Sequence, residues 1–160
     1  MSKANTHHHD NYKVAAQNRR ARFDYEIMET LEVGIVLTGT ELKSLRQGKG
    51  SIAEAYAGEM LGELYLFNAN ILEYNQAKHF NHEPKRPRKL LLRKKQLNKF
   101  LGAIRKKGLT LIPLVMYFNH KGRVKLSIAL GRGKKNVDKR ETIKERDWQR
   151  DKNRLLKNRE

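Results

Sequence analysis

Residues 84–107 carry 11 Lys or Arg and no Asp or Glu. A solvated helix face normally interleaves the two signs, and a window of 24 residues with one sign repels itself. Tolerating that repulsion calls for a counter-charge in the working state. The plainer alternative is a soluble basic helix with no partner. The rest of the chain agrees with the first reading. Lys and Arg total 35 against 17 Asp and Glu in 160 residues, a net charge of +18. Such a field attracts polyanions, and a basic domain of this size most often meets nucleic acid. A basic membrane-surface protein competes, but no lipidation motif occurs. The most apolar stretch, residues 109–118, is short and contains Pro113, so no bilayer span is expected. The first residues, MSKANTHHHD, have no apolar signal-peptide core, and a cytosolic (cytoplasmic) location is expected. With no Cys, the chain has no disulfide, thiol nucleophile or Cys-ligated metal.

Apolar residues make up 38% of the chain, so a core exists but cannot involve all of it. The expected organisation is an arm at 1–17, one domain at 18–130 and a basic tail at 131–160. His7, His8, His9 and Asp10 lie in the arm, where nothing fixes a ligand geometry, and they carry no metal expectation. In the domain, Phe23, Tyr25 and Ile27 alternate with Asp24 and Glu26, the period of a half-buried strand. A second strand is expected at 31–37 and a short helix at 41–47, capped by Thr40 and closed by Gly48 and Gly50. Residues 52–57 and 63–67 suggest a hairpin around Gly58 and Gly62, followed by a short strand near 69–72. Residues 74–88, with His79, His82, Pro84 and Pro87, read as a mobile loop. Leu97, Phe100, Leu101 and Ile104 share one face of a helix at 93–107, and Gly108 stops it. Segments 109–118 and 123–130 form a last hairpin with its turn at 119–122. The fold class expected is mainly β with helices: an OB-fold-type antiparallel β-barrel with two to three flanking helices and a flexible basic C-terminal tail.

That tail holds 12 Lys or Arg and 6 Asp or Glu, and few large apolar residues. It has too little to fold against a core, yet from Glu141 onward it lacks Gly and Pro and alternates sign at helical spacing. It reads as a conditional helix, disordered alone and ordered by a partner. Gly131 and Gly133 read as a flexible joint, and Trp148 among charges as an anchor for a partner. Arg19, Arg20 and Arg22 precede the first strand, where guanidiniums can fork onto phosphates beside the rings of Phe23 and Tyr25. The alternative is that Phe23, Tyr25 and Ile27 face the core. Catalysis is poorly supported: there is no Gly-rich phosphate loop and no paired His with a Glu on a helix. His79, His82 and Glu83 could be drawn as a metal-dependent nuclease, without a carboxylate cluster for Mg²⁺. No cofactor and no small-molecule substrate are expected.

Several motifs together resemble one family. They are NRRARFDYEI at 18–27, GIVLTGTELKSLR at 34–46, RKLLL at 88–92, GKK at 133–135, DKR at 138–140 and ERDW at 145–148. In this order and spacing the chain is similar, from about residue 13 to 158, to the small protein B family, the tmRNA (SsrA)-binding proteins of bacteria. The resemblance implies an OB-type barrel that binds the tRNA-like domain of tmRNA. With alanyl-tmRNA and elongation factor Tu, it is delivered to stalled 70S ribosomes and fills the place of the missing anticodon arm. By position, Asn18, Glu32, Leu91 and Lys125 fall where the family contacts the tRNA-like domain, with Arg93 beside them. Gly133, Lys134, Lys135, Asp138, Lys139 and Arg140 fall where it meets the 16S rRNA decoding centre. Ile143, Trp148, Leu155 and Leu156 fall on a helix in the empty mRNA channel. The chain departs from the pattern at Phe23 (often His), Arg93 (often a short polar residue) and Val137 (an aromatic or His in some relatives), and its His-rich N-terminus has no counterpart there. Rival readings are a ribosome-associated protein or general RNA chaperone, and the nuclease above.

Overall fold

A computed structural model describes residues 13–157. The longest element pair is a hairpin of β8 (Thr110–Phe118) and β9 (Val124–Gly133). Its turn forms because Asn119 Oδ1 accepts from the Lys121 and Arg123 backbone N–H groups at 3.0 and 2.9 Å. Gly122 supplies the positive φ of +76° that this reversal needs. Pro113 sits inside β8 beside a register irregularity, where its missing N–H is tolerated. Against β9 runs β2 (Tyr25–Ile35), paired from Tyr25–Gly133 to Gly34–Lys125 with one irregularity between Ile27 and Glu29. The two strands expected at 23–27 and 31–37 are thus one, and Phe23 belongs instead to a single helical turn, α1 (Ala21–Asp24). That turn closes because the Phe23 and Asp24 N–H groups both donate to the Arg20 carbonyl.

The remaining strands are β1 (Lys13–Gln17), β3 (Gly50–Ser51), β4 (Tyr56–Met60), β5 (Glu63–Phe67), β6 (Asn70–Ile71) and β7 (Arg88–Leu91). β3 and β6 pair only with each other; the other seven form one antiparallel sheet in the order β1-β8-β4-β5-β7-β2-β9. The β8–β9 pairing brings the sheet back on itself, but the β4–β8 seam holds a single residue pair, Ala57 with Leu111. The result is mainly β, as expected. It is a strongly curled seven-stranded sheet rather than an evenly closed barrel, which corrects the expected architecture at that seam. The β4–β5 turn is Leu61-Gly62, both at positive φ (53° and 75°), the geometry of a two-residue hairpin that matches strand twist. The hairpin expected around Gly58 and Gly62 therefore turns at Gly62 alone: Gly58 lies inside β4, and a Cβ there would sit 3.4 Å from the Phe67 ring.

Helix α2 (Gly39–Arg46) is capped by Thr38, not Thr40. Thr38 Oγ1 accepts from the Glu41 N–H while Glu41 accepts from the Thr38 N–H, a reciprocal capping box. Thr40 is engaged elsewhere, with its hydroxyl 2.9 Å from His82 Nδ1. Helix α3 (Lys94–Lys107) buries Leu97, Phe100 and Leu101 and stops at Gly108 in the left-handed region. Leu64, Leu66, Leu90, Leu111, Met116, Leu126 and Ile128 fill the interior of the curled sheet. The segment expected as a mobile loop reaches the first residue of β7 and supplies the arginines of the most deeply buried ion pair. Arg88 is fully buried and donates to Glu41, to the Ala69 carbonyl at 2.8 Å and to the Pro84 carbonyl at 2.9 Å. Arg86 Nε donates to the same carboxylate at 3.1 Å. Burial pushes the Glu41 carboxyl up, but the two guanidiniums and the Thr38 N–H outweigh it and hold it below its ordinary value. Helix α4 (Asn136–Lys157) follows β9, which runs to Gly133, past the boundary expected at 131.

Candidate nucleic-acid interface

Strand register decides which candidate residues meet. Lys125 on β9 lies opposite Gly34 on β2, and Gly34 opposite Leu91 on β7. These three form a row across three neighbouring strands, on the face turned away from the core. Gly34 matters here because a Cβ would meet Leu91 Cβ at 3.2 Å, so the half-exposed Leu91 leans over it. A parallel row runs from Gln17 on β1 through Val115 and Ser127 to Glu32. Glu32 accepts from the Tyr117 hydroxyl, which fixes its carboxylate on this face. Asn18 follows Gln17, and its N–H donates to the Leu114 carbonyl at 2.8 Å. Three strand steps separate Asn18 from Glu32, about 14 Å at the usual spacing. Glu32, Leu91 and Lys125, far apart in sequence, thus share one outer face, and Asn18 lies just past the end of β1, held to Leu114. Arg93 joins its edge as the exposed N-cap residue of α3.

The second group lies at the start of β2. Arg19, Arg20 and Arg22 are exposed, and Arg19 and Arg20 border a cleft of about 590 Å³ with Asn18 and Glu54. Phe23 is half-buried, neither a core residue nor a free ring. Its ring has Arg20 at 5.7 Å, Lys139 at 5.9 Å and Arg146 at 5.6 Å from its centroid. Asp24 lies 3.8 Å from Arg20 and 3.5 Å from Lys139, and its carbonyl accepts from the Lys134 N–H at 2.9 Å. Tyr25 pairs with Gly133. Phe23 thus stands beside the arginines, as expected, and with Tyr25 it also stands at the root of the tail. The part played by Asp24 carries one signal in the sequence, an acid placed directly after a run of arginines.

Gly131 is not the expected free joint. It is buried, and a Cβ would lie 2.9 Å from the Glu26 carbonyl, so its smallness serves close packing. Gly133 is exposed, with open space around it. Asp138 accepts from the Lys135 N–H at 3.3 Å at the start of α4, and Lys134 Nζ donates to Thr142 Oγ1 at 3.1 Å. Lys135 and Arg140 are exposed. So are Val137, Ile143, Trp148, Leu155 and Leu156; Trp148 is 58% exposed, with Lys152 at 5.2 Å from its ring.

The one-sign window at 84–107 is resolved in two ways. Arg86 and Arg88 bind Glu41, Lys99 binds Glu29, and Arg105 binds Glu59. Among the described residues, Lys85, Lys89, Arg93, Lys94, Lys95, Lys106 and Lys107 have no ion pair. Of the residues drawn as a nuclease, His82 is buried, with Nδ1 near Thr40 Oγ1 and Nε2 2.8 Å from the Ile71 carbonyl, while His79 and Glu83 are exposed. Among the described residues no cluster of His, Asp or Glu could hold a metal ion, and no helix is long and apolar enough to cross a membrane. The His7-His8-His9-Asp10 stretch lies outside the described residues.

Comparison with known proteins gives a consistent picture. A family model described as "SmpB protein" matches residues 15–158. An SsrA-binding protein of Rhodopseudomonas palustris strain TIE-1 is 63% identical over 147 residues, covering 92% of this chain and 94% of that protein. One of Afipia carboxidovorans is 62% identical over 145 residues, covering 91% and 92%. A solved chain described as "tmRNA-SmpB: a journey to the center of the bacterial ribosome" is 52% identical, with a TM-score of 0.62, covering 75% of this chain and 84% of that one. A match of this length and identity, on a fold whose register gathers the resembling residues, places the chain in the SmpB protein family.

Proposed function

We propose that the chain is an RNA-binding adaptor of trans-translation. Its outer sheet face, through Asn18, Glu32, Leu91 and Lys125, binds the tRNA-like domain of tmRNA. Arg19, Arg20, Arg22 and Arg93 reach phosphates around that face. Residues 133–140 meet the 16S rRNA decoding centre of a stalled 70S ribosome. Helix α4, through Ile143, Trp148, Leu155 and Leu156, lies in the empty mRNA channel. The tail is disordered in the free protein and takes up the helix on the ribosome. The protein arrives with alanyl-tmRNA and elongation factor Tu, acts in the cytoplasm, takes no cofactor and catalyses nothing itself.

The observation that carries this reading is the register that sets Glu32, Leu91 and Lys125 on one outer face, with Asn18 just past the end of β1 in the same sheet. The tail supports the second half: a 22-residue helix whose large apolar side chains are all exposed has surface to give to a partner. Binding to the labelled tRNA-like domain should fall steeply with salt, by several orders of magnitude between 50 and 200 mM for about 6–10 phosphate contacts. Bulk tRNA should compete poorly. Equal displacement by both would instead make the protein a general RNA binder. Cleavage of labelled RNA with Mg²⁺ or Mn²⁺ would contradict the non-catalytic part.

A further inference from the structure

The outer face does not end at Leu91. Antiparallel register carries it one strand further: Lys89 on β7 lies opposite Tyr65 on β5, and Tyr65 opposite Gly58 on β4. Tyr56, on β4, lies opposite Phe67. Their rings stack with centroids 5.5 Å apart and planes 25° apart, and Tyr65 continues the row at 6.3 Å from Phe67. Tyr56 is 52% exposed, and Tyr65, Phe67 and Lys89 are half-buried. Gly58 lacks the side chain that would separate these rings; a Cβ there would touch Phe67. The nearest strand neighbour on the other side is Val36, whose N–H donates to the Lys89 carbonyl and whose side chain is also exposed. No local sequence pattern marks the row, because its members sit on both strands of a hairpin and meet only through its register.

From these positions we infer that Tyr56, Phe67 and Tyr65, flanked by Lys89, form a stacking platform for unpaired RNA bases, continuous with the face that carries Leu91 and Lys125. Flat rings at sheet spacing match the separation of splayed bases, and a flanking cation can hold the backbone phosphate. Local charge fits the same occupant. The chain is strongly basic, and the exposed Glu59 nearby is neutralised by Arg105, whose Nε donates to it at 3.1 Å. Glu63 at the far end of the hairpin is the one acid left on this face among the described residues of β4 and β5. From Lys125 across β2, β7 and β5 to Tyr56 on β4 is four strand steps, about 19 Å along the sheet. This length suits a few unstacked nucleotides running beyond a folded RNA element. The inference rests on the RNA-binding reading above and adds a second kind of contact to it: base stacking where the first group offers polar and ionic contacts.

The test uses the full chain, a labelled single-stranded RNA hexamer and a duplex of the same sequence, at one fixed salt. Tyr56→Ala should weaken the hexamer by about fivefold or more and leave the duplex unchanged. Tyr56→Trp should restore hexamer binding, which a merely structural role for the ring would not require. Phe67→Leu, which keeps an apolar cover on Gly58, should weaken the hexamer in the same direction. Thermal unfolding of each variant checks that the sheet is intact. Unchanged hexamer affinity in an intact Tyr56→Ala protein overturns the platform, as does an equal loss for hexamer and duplex. Ultraviolet cross-linking of Tyr56 to a ribosomal protein rather than to RNA, in the assembled complex, would give the face to a protein partner and also overturn it. Loss of tRNA-like-domain binding in the wild-type protein would fell the underlying reading. Wild-type binding with an indifferent Tyr56 fells only the platform.

Discussion

Arg88 and Arg146 have the same side chain in opposite settings. Arg88 lies inside the curled sheet, fully buried, with Glu41 and two carbonyls fixing its donors. Arg146 lies on α4, exposed, near the face of Phe23. Breaking a buried pair leaves an uncompensated charge and costs heavily, whereas an exposed contact is worth a fraction of a kcal/mol to about one. The body therefore uses charge to specify its geometry. The tail leaves most of its charge exposed, and its own pairs, such as Arg150 with Asp147 at 3.8 Å, hold little.

The comparison breaks most plainly at Glu41. Glu41→Ala leaves the Arg88 guanidinium buried without its carboxylate and should destabilise the body by about 3–5 kcal/mol in urea unfolding. A loss under about 1 kcal/mol would mean that this charge is as dispensable as those of the tail. Next in size is the acid limb of stability. Because the Glu41 carboxyl is held below its ordinary value, its contribution is full above the normal carboxylate range. That contribution is lost as pH falls through the lowered native value. A stability–pH profile should show this limb in the wild type and a flatter one in Glu41→Ala.

Removing residues 134–160 sharpens the contrast from the other side. The urea midpoint of the body should hardly move, and tRNA-like-domain affinity should stay within about tenfold, while tagging on stalled ribosomes disappears. A larger loss of affinity would join the two regions into one binding unit. Asp24→Asn removes the carboxylate near Lys139 and Arg20, and should speed tryptic cleavage within α4 by at most about fivefold, the reach of an exposed pair. The smallest effect belongs to Trp148→Ala, within about 0.5 kcal/mol of wild type by thermal unfolding, because its ring is mostly in solvent.

What the sequence disclosed follows the same division. Helix α3 and the β8–β9 hairpin were legible because each is governed by local periodicity and ended by a glycine, Gly108 and Gly122. β7 was not, because Arg88 looks like surface and is buried only through Glu41, 47 positions away. The single long β2 was read as two strands because its irregularity at Ile27 to Glu29 interrupts the alternation. The Thr38 cap was displaced by two residues because Thr40 offers the same hydroxyl, and only contact with His82 shows where that hydroxyl goes. Asn18, Glu32, Leu91 and Lys125 came from resemblance alone; the face shared by the last three is a property of register, which no local pattern contains.

The root of α4 has a further consequence. Gly133 is tied to Tyr25 by strand pairing, and Lys134 is tied to the Asp24 carbonyl. A helix of 22 residues rising about 1.5 Å each measures about 33 Å from that fixed origin. As a helix the appendage is thus a gauge as well as a handle: with its zero mark set on the body, it carries Leu155 and Leu156 about 30 Å from the end of the sheet.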